Sequence, residues 1–201
     1  MKKRVITISR QFGSRGHSIG EAVAKSIGIP YYDKEILDRI AAETGLAPGY
    51  IKEASEYASA NNSLLWNLVM GRRKGDASIE NPADMVYFAQ AKIIRELAEK
   101  EPCVIVGRCS DYILRDRDDC LHIFICADKH SRAKHILEQY GDSTTSIEKR
   151  ISDKDTRRSL YYSHYTDQVW GAPENYHATL NSGALGEEAC VQIIRELYQT
   201  E

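Results

Sequence analysis

The sequence contains no apolar run on the order of the eighteen residues that a membrane-spanning helix needs. A secretory leader is not recognisable either, because Met1-Lys2-Lys3 runs directly into a β-branched stretch, and the expected location is cytoplasmic. The five cysteines (Cys103, Cys109, Cys120, Cys126, Cys190) include no C-x-x-C pair and read as reduced thiols rather than a disulfide framework. The six histidines are scattered without metal-ligand spacing, which argues against a zinc site. An excess of either charge is lacking too: 27 Lys and Arg stand against 29 Asp and Glu. Nothing therefore draws the whole molecule to nucleic acid or to an acidic membrane surface. No internal repeat or low-complexity segment interrupts the chain, and 201 residues suit one domain whose core needs no staples.

What the chain does have is a concentrated run at its start, VITISRQFGSRGHSIGEAVAKSIG, from Val5 to Gly28. Val5 to Ile8 reads as a buried strand. Gly13, Gly16 and Gly20 follow, and Ile19, Val23 and Ile27 then recur every four residues, as one face of a helix that Gly28 would end. Strand, glycine-rich turn and helix form the geometry in which free amides at a helix N-terminus bind phosphate oxygens. The P-loop pattern G-x-x-x-x-G-K-[ST] is met in part by Gln11 to Ser18. Gly16 and Ser18 are in register, whereas Gln11 replaces the first glycine and His17 the lysine. Gly13, Ser14, Arg15, Gly16, His17 and Ser18 are thus candidate phosphate ligands, with the Ser18 hydroxyl as candidate Mg²⁺ ligand and Arg15 and His17 as candidate cations. The bland alternative is a tight turn that serves only packing. A dinucleotide site is disfavoured: Asp33 lies twenty residues beyond Gly13, but no two glycines are separated by one residue, as G-x-G-x-x-G requires.

Ile29 to Tyr32 is a short strand candidate, and Asp33 behind it can cap a helix predicted from about Lys34 to Thr44, with Gly45 as its stop. Tyr50 to Tyr57 reads as a helical turn or two, Leu64 to Met70 as an apolar patch, and Gly71 to Asp76 as a polar loop. Pro82 opens a long helix to about Lys100. Cys103 to Gly107 and Cys120 to Ala127 are continuous apolar strands, of the kind covered on both faces in a parallel sheet. Arg108 follows the first of them, on the side where open α/β sheets bind ligands. A helix from Asp128 toward Tyr140 has Arg132 in its first turn. Another, from about Ser146, carries Arg150, Lys154 and Arg158 at four-residue steps with Arg157 beside them, a face of like charges that an anion would relieve. Tyr161, Tyr162, Tyr165 and Trp170 form an aromatic segment leading to Pro173, before a strand at about His177 to Asn181 and a helix from Glu187 to Tyr198. Five strands separated by helical stretches predict a three-layer α/β domain with a parallel sheet.

Three segments together resemble the cytidylate kinase-like family and, more distantly, bacterial CMP kinases: ISRQFGSRGHSIGEAVAKSIGIPYYDKEIL, VIVGR, and RRSLYYSHYTDQVW…NYHATLNS. The likeness covers nearly the whole chain. It implies a P-loop NTPase-like fold, with a five-stranded parallel sheet, helices on both faces and a helical lid. Residues 1–201 would form a single kinase-like domain, with about 34–100 as an acceptor-side helical region and about 145–172 as the lid. The cofactors implied are ATP and Mg²⁺. The partners implied are small-molecule nucleotides, with a homodimer compatible and neither nucleic acid nor membrane expected. Asp33 and Arg39 keep the step that CMP kinases show from an aspartate to a CMP-phosphate-binding arginine, Arg108 matches the arginine of their Gly-Arg-Asp motif, and Arg132 matches an arginine opening the next helix. The resemblance assigns these four to the acceptor nucleotide. Lys154-Asp155 falls where the lid of CMP kinases carries Arg-Asp, with Arg158 nearby; Lys154, Arg157 and Arg158, with Arg15 and His17 of the turn, are the candidate catalytic cations. Cys109 stands where the motif has its aspartate. The activity implied is phosphoryl transfer from ATP to a pyrimidine nucleoside monophosphate such as CMP or dCMP. A kinase for another small acceptor and a catalytically silent nucleotide-binding module are the alternatives.

Overall fold

The computed structural model describes residues 3–55 and 82–200. Strand β1 (Val5–Arg10) is central in a five-stranded parallel sheet of order β2-β3-β1-β4-β5, with β2 (Tyr31–Tyr32), β3 (Cys103–Val106), β4 (Cys120–Cys126) and β5 (Ala178–Asn181). Among the described residues, the helices before β3 are α1 (Gly16–Ile27), α2 (Glu35–Thr44), α3 (Pro48–Ala54) and α4 (Pro82–Lys100). After it come α5 (Ser110–Ile113), α6 (Lys129–Tyr140), α7 (Ile147–Thr166), α8 (Ser182–Leu185) and α9 (Glu187–Gln199).

Strand alternation sends the side chains into two cores. Ile6, Ile8, Val104, Val106, Ile123 and Ile125 pack with Ile19 and Val23 of α1 and Ile194 of α9. On the other face, Val5, Cys103, Ile105 and Cys120 join Ile36 and Ile40 of α2, Ile94 and Leu97 of α4, and Tyr161 and Tyr162 of α7. A fully buried Ile or Leu contributes about 1.5–3 kcal/mol, so the sheet is held from both sides. The register matters for the site. β1 pairs with β3 only as far as Ile8 opposite Val106, but with β4 as far as Arg10 opposite Ile125. Ser9 and Arg10 therefore run on past β3, beside the chain reversal that begins at Gly107.

Helix ends follow their glycines. Gly28 (φ 77°) donates its N–H to the Ala24 carbonyl at 2.9 Å, and Gly45 (φ 69°) ends α2 in the same way. Asp33 does not cap α2: Lys34 holds the capping position in helical conformation, without a side-chain bond. The aromatic segment is largely helical, since Tyr161, Tyr162 and Tyr165 continue α7 until Asp167 (φ 55°) stops it. The expected helical turns at Tyr50 to Tyr57 appear as α3, as far as they are described, whereas Leu64–Met70 and Gly71–Asp76 lie outside the described residues. All five cysteines are free thiols. Among the described residues no helix is long and apolar enough to cross a membrane.

A histidine pair is built into the β4–β5 side of the sheet. His122 is 7% exposed, its Nδ1 and the Thr7 hydroxyl lie 2.8 Å apart, and its ring stacks on His177 at 5.0 Å. Burial, with His177 and Lys3 adding to it, pushes the His122 pKa down to about 4. An unfolded histidine titrates near 6.5. The stabilisation of the neutral ring is therefore full above that value and is lost as pH falls toward 4, about 3 kcal/mol in all. Urea midpoints measured from pH 8 to pH 4.5 should fall accordingly, and His122→Asn should remove most of that slope. An unchanged slope in the variant would assign the acid sensitivity to other groups.

Candidate active site

The turn between β1 and α1 uses two left-handed residues, Gly13 (φ 80°) and Arg15 (φ 62°), the second as the N-cap of α1. Glycine adopts that conformation freely; at Arg15 it costs roughly 1–2 kcal/mol. The Gln11 side chain braces the turn by accepting from the Ala127 N–H at 3.1 Å. Ser14 is buried and stays out of the cleft: its hydroxyl donates to the carbonyls of Gln11 (2.9 Å) and Ile125 (3.0 Å), its N–H donates to the Gln11 carbonyl at 3.3 Å, and its carbonyl accepts from Ser182. The first bond of α1 runs from the Ile19 N–H to the Arg15 carbonyl at 2.9 Å. The amides of Gly16, His17 and Ser18 precede it and belong to residues lining a cleft with about 1350 Å³ of empty space. Asp33 and Lys34 line the same cleft.

The two cations foreseen here line the cleft, and each is engaged by a neighbouring side chain. His17 is exposed, its ring stacks on Tyr31 at 5.6 Å, and its Nδ1 shares a short hydrogen bond with the Tyr31 hydroxyl. Arg15 stands between Glu138 (3.7 Å) and Glu187 (3.6 Å) at the cleft rim. The Ser18 hydroxyl donates to the Arg15 carbonyl at 3.0 Å.

A second cleft opens where β3 ends. Gly107 (φ 72°), Arg108 (φ 61°) and Cys109 (φ 51°) are three consecutive left-handed residues. Such strain at non-glycine positions persists only where the surroundings over-determine it. Gln90 Nε2 donates to the Arg108 carbonyl at 2.9 Å, and Arg108 Nη1 donates to the Ser55 hydroxyl at 2.6 Å. The cleft is narrow and is lined by Ser9, Arg10, Arg108, Arg158 and the rings of Tyr161, Tyr162 and Trp170. Burial, with Asp111 adding to it, holds the Cys109 thiol well above its ordinary range, so it is neutral. Asp111 is itself buried. It accepts from the Ser9 hydroxyl (3.2 Å) and the Tyr162 hydroxyl (2.7 Å), and burial raises its carboxyl above the usual range.

Helix α7 is docked on the turn. Asp155 accepts from the Phe12 N–H at 2.8 Å and pairs closely with Arg132, which also donates to the Phe12 carbonyl at 3.3 Å. Arg158 Nη1 donates to the Arg10 carbonyl at 3.0 Å. Lys154 and Arg157 line a neighbouring cleft with Phe12 and Tyr140. The structure thus gathers Gly13, Arg15, Gly16, His17, Ser18 and Asp33, though not Ser14, around one cleft, and Arg108 with Arg158 around the next. It does not bring Arg132 or Arg39 there. Arg132 is buried against Asp155, and Arg39 is exposed, with its guanidinium 5.9 Å from the centre of the Tyr32 ring. The sequence reading missed Ser9, Arg10 and Asp111. A cation closing an apolar strand is the one signal that could have found Arg10. Among the described residues no group of three or more His, Cys, Asp and Glu could hold a metal ion.

Several solved structures share this architecture. An uncharacterized protein from Eubacterium ventriosum ATCC 27560 is 23% identical with a TM-score of 0.71, over 99% of this chain and 100% of that one. Shikimate kinase from Acinetobacter baumannii, in complex with shikimate, is 13% identical with a TM-score of 0.53, over 97% and 92% of the two chains. TT1252 from Thermus thermophilus is 11% identical with a TM-score of 0.57, over the whole of both. At these identities the likeness is one of fold alone, and the fold is P-loop NTPase-like. No curated protein matches the sequence. The model of the cytidylate kinase-like family, however, matches residues 5–184, from β1 through both clefts and α7 to the start of α8, and the chain belongs to that family.

Proposed function

We propose that the protein transfers a phosphoryl group from ATP to a pyrimidine nucleoside monophosphate, CMP or dCMP. One observation carries this reading: the Arg108 cleft combines three guanidinium groups with three aromatic rings, directly beside the amide-lined cleft. Guanidinium forks match phosphate oxygens, and the rings offer a surface to a base. The amides of the turn and the positive end of α1 suit the donor phosphates. Ser18 and Asp33, which line the donor cleft, fit one Mg²⁺ held mainly through phosphate oxygens and water rather than by a protein cage. When bound, it would supply neutralisation of phosphate charge.

In the reaction an oxygen of the acceptor phosphate forms a bond to the γ-phosphorus. The bond from that phosphorus to the β,γ-bridging oxygen breaks, and ADP leaves with its electron pair. A dianionic acceptor phosphate has no proton to lose, so the protein is asked for positioning and charge rather than for a base. Lys154, Arg157 and Arg158, all on α7, act as a lid that neutralises charge and excludes water.

A second reading has its own observation. The residue at the P-loop lysine position, His17, is bonded to Tyr31, as suits a catalytically silent nucleotide-binding module. The two separate in an assay of ADP release from ATP and Mg²⁺ with CMP, dCMP, UMP, AMP and simple alcohols, run beside calorimetry with ADP. Turnover on CMP or dCMP is expected. ADP binding without turnover on any acceptor would leave the silent module, and the absence of both would remove both readings. Arg108→Ala should raise the acceptor KM tenfold to a hundredfold or more, the equivalent of about 1.5–3 kcal/mol for a charge-assisted contact. Unchanged KM and kcat would end that assignment. Arg39→Ala sets the resemblance against the geometry: an equal loss would require α2 to carry Arg39 from Tyr32 into the cleft.

A further inference from the structure

We propose that Arg10 binds the terminal phosphate of the nucleotide and supplies the fixed positive charge that the absent P-loop lysine does not. The inference rests on the reading that the turn binds nucleotide phosphates. Arg10 is the last residue of β1, two positions beyond the last β1–β3 pair. Its side chain lies between two glycines. A Cβ on Gly16 would stand 2.4 Å from the Arg10 Cβ, and a Cβ on Gly107 would stand 2.0 Å from its Nη1. The stem of Arg10 thus runs against Gly16 and its guanidinium lies against Gly107, two positions without side chains.

That placement sets Arg10 at the boundary between the two clefts, both of which it lines, so a group passing from donor to acceptor would cross in front of it. Arg158 lines both clefts too, but its Nη1 donates to the Arg10 carbonyl and ties α7 down. Arg10 is partly buried, and among the described residues its guanidinium makes no hydrogen bond or ion pair. A charge partly withdrawn from water without a counter-ion is unfavourable, and an anionic ligand removes that cost. The other cations of the turn are engaged, Arg15 by Glu138 and Glu187, His17 by Tyr31. A guanidinium also suits the task chemically, because it can present two parallel donors to one phosphate and stays protonated throughout. Arg10 neither takes nor gives a proton in the transfer.

The test is calorimetry with ADP and with the β,γ-imido analogue of ATP, both with Mg²⁺, on wild type, Arg10→Gln, Arg10→Lys, Arg15→Gln and His17→Gln. Arg10→Gln keeps the stem against Gly16 and removes the charge. It should weaken binding of the ATP analogue roughly tenfold to a hundredfold and of ADP by less, with part of the loss recovered in Arg10→Lys. If Arg10→Gln melts early, Arg10→Lys, which keeps both stem and charge, decides: folding as wild type with analogue binding weakened more than about a hundredfold overturns the proposal. Binding of the ATP analogue within about threefold of wild type in Arg10→Gln overturns the proposal. So does an equal loss for ADP, or a loss confined to Arg15→Gln or His17→Gln. Failure of the wild type to bind either nucleotide is a different result: it removes the nucleotide reading itself.

Discussion

The site depends on hydrogen-bond donors that the fold leaves unused. The amides of Gly16, His17 and Ser18 have no acceptor within α1, because its first bond begins at Ile19. A turn that exposes them cannot be fixed by its own backbone ladder, and a strained residue at Arg15 works against it. It is fixed from outside. Ala127 holds Gln11, Ser182 donates to the Ser14 carbonyl at 2.7 Å, and Asp155, Arg132 and Arg158 hold Phe12 and Arg10. Charge-assisted bonds contribute about 1.5–3 kcal/mol each, enough together to exceed the strain. Because Asp155 and Arg158 both belong to α7, the shape of the turn and the docking of that helix are coupled through shared bonds.

The fold was legible because its signals are local. β-branched runs marked β1, β3 and β4, and Gly28 and Gly45 end their helices in the left-handed conformation that glycine accepts. The short α5 and α8 hold too few residues for a periodic pattern. Asp33 has the right chemistry for a cap, but it sits one position too early, outside Lys34. The turn was legible too, since glycine spacing next to an apolar strand is itself local. The partners of Arg132 and Arg10 were not. Arg132 meets an acid from another helix, and Arg10 owes its place to Gly16 and Gly107, which the sheet alone brings together. Long-range pairs of this kind leave no trace in spacing.

The basic face of α7 illustrates the same limit from the side of charge. Arg150, Lys154 and Arg158 share a face, a pattern that calls for an anion when taken alone. In the folded chain part of that demand is met by carbonyl oxygens: Arg150 donates to Gly141 at 3.0 Å and Arg158 to Arg10. The Arg158 bond ties this basic helix to the turn where the amides are exposed.

Cys109 stands where the resemblance to CMP kinases implies an aspartate, and its surroundings bear on that difference. The position is buried, and its nearest acid is Asp111, also buried, which accepts from Ser9 and Tyr162. An aspartate at 109 would meet the burial that already holds the thiol neutral and would face a second carboxyl at close range. Both effects disfavour ionisation, so one of the two acids would be uncharged or would push the network apart. With cysteine at 109, a single acid occupies this part of the core, and its oxygens join β1 to α7 instead of facing a ligand.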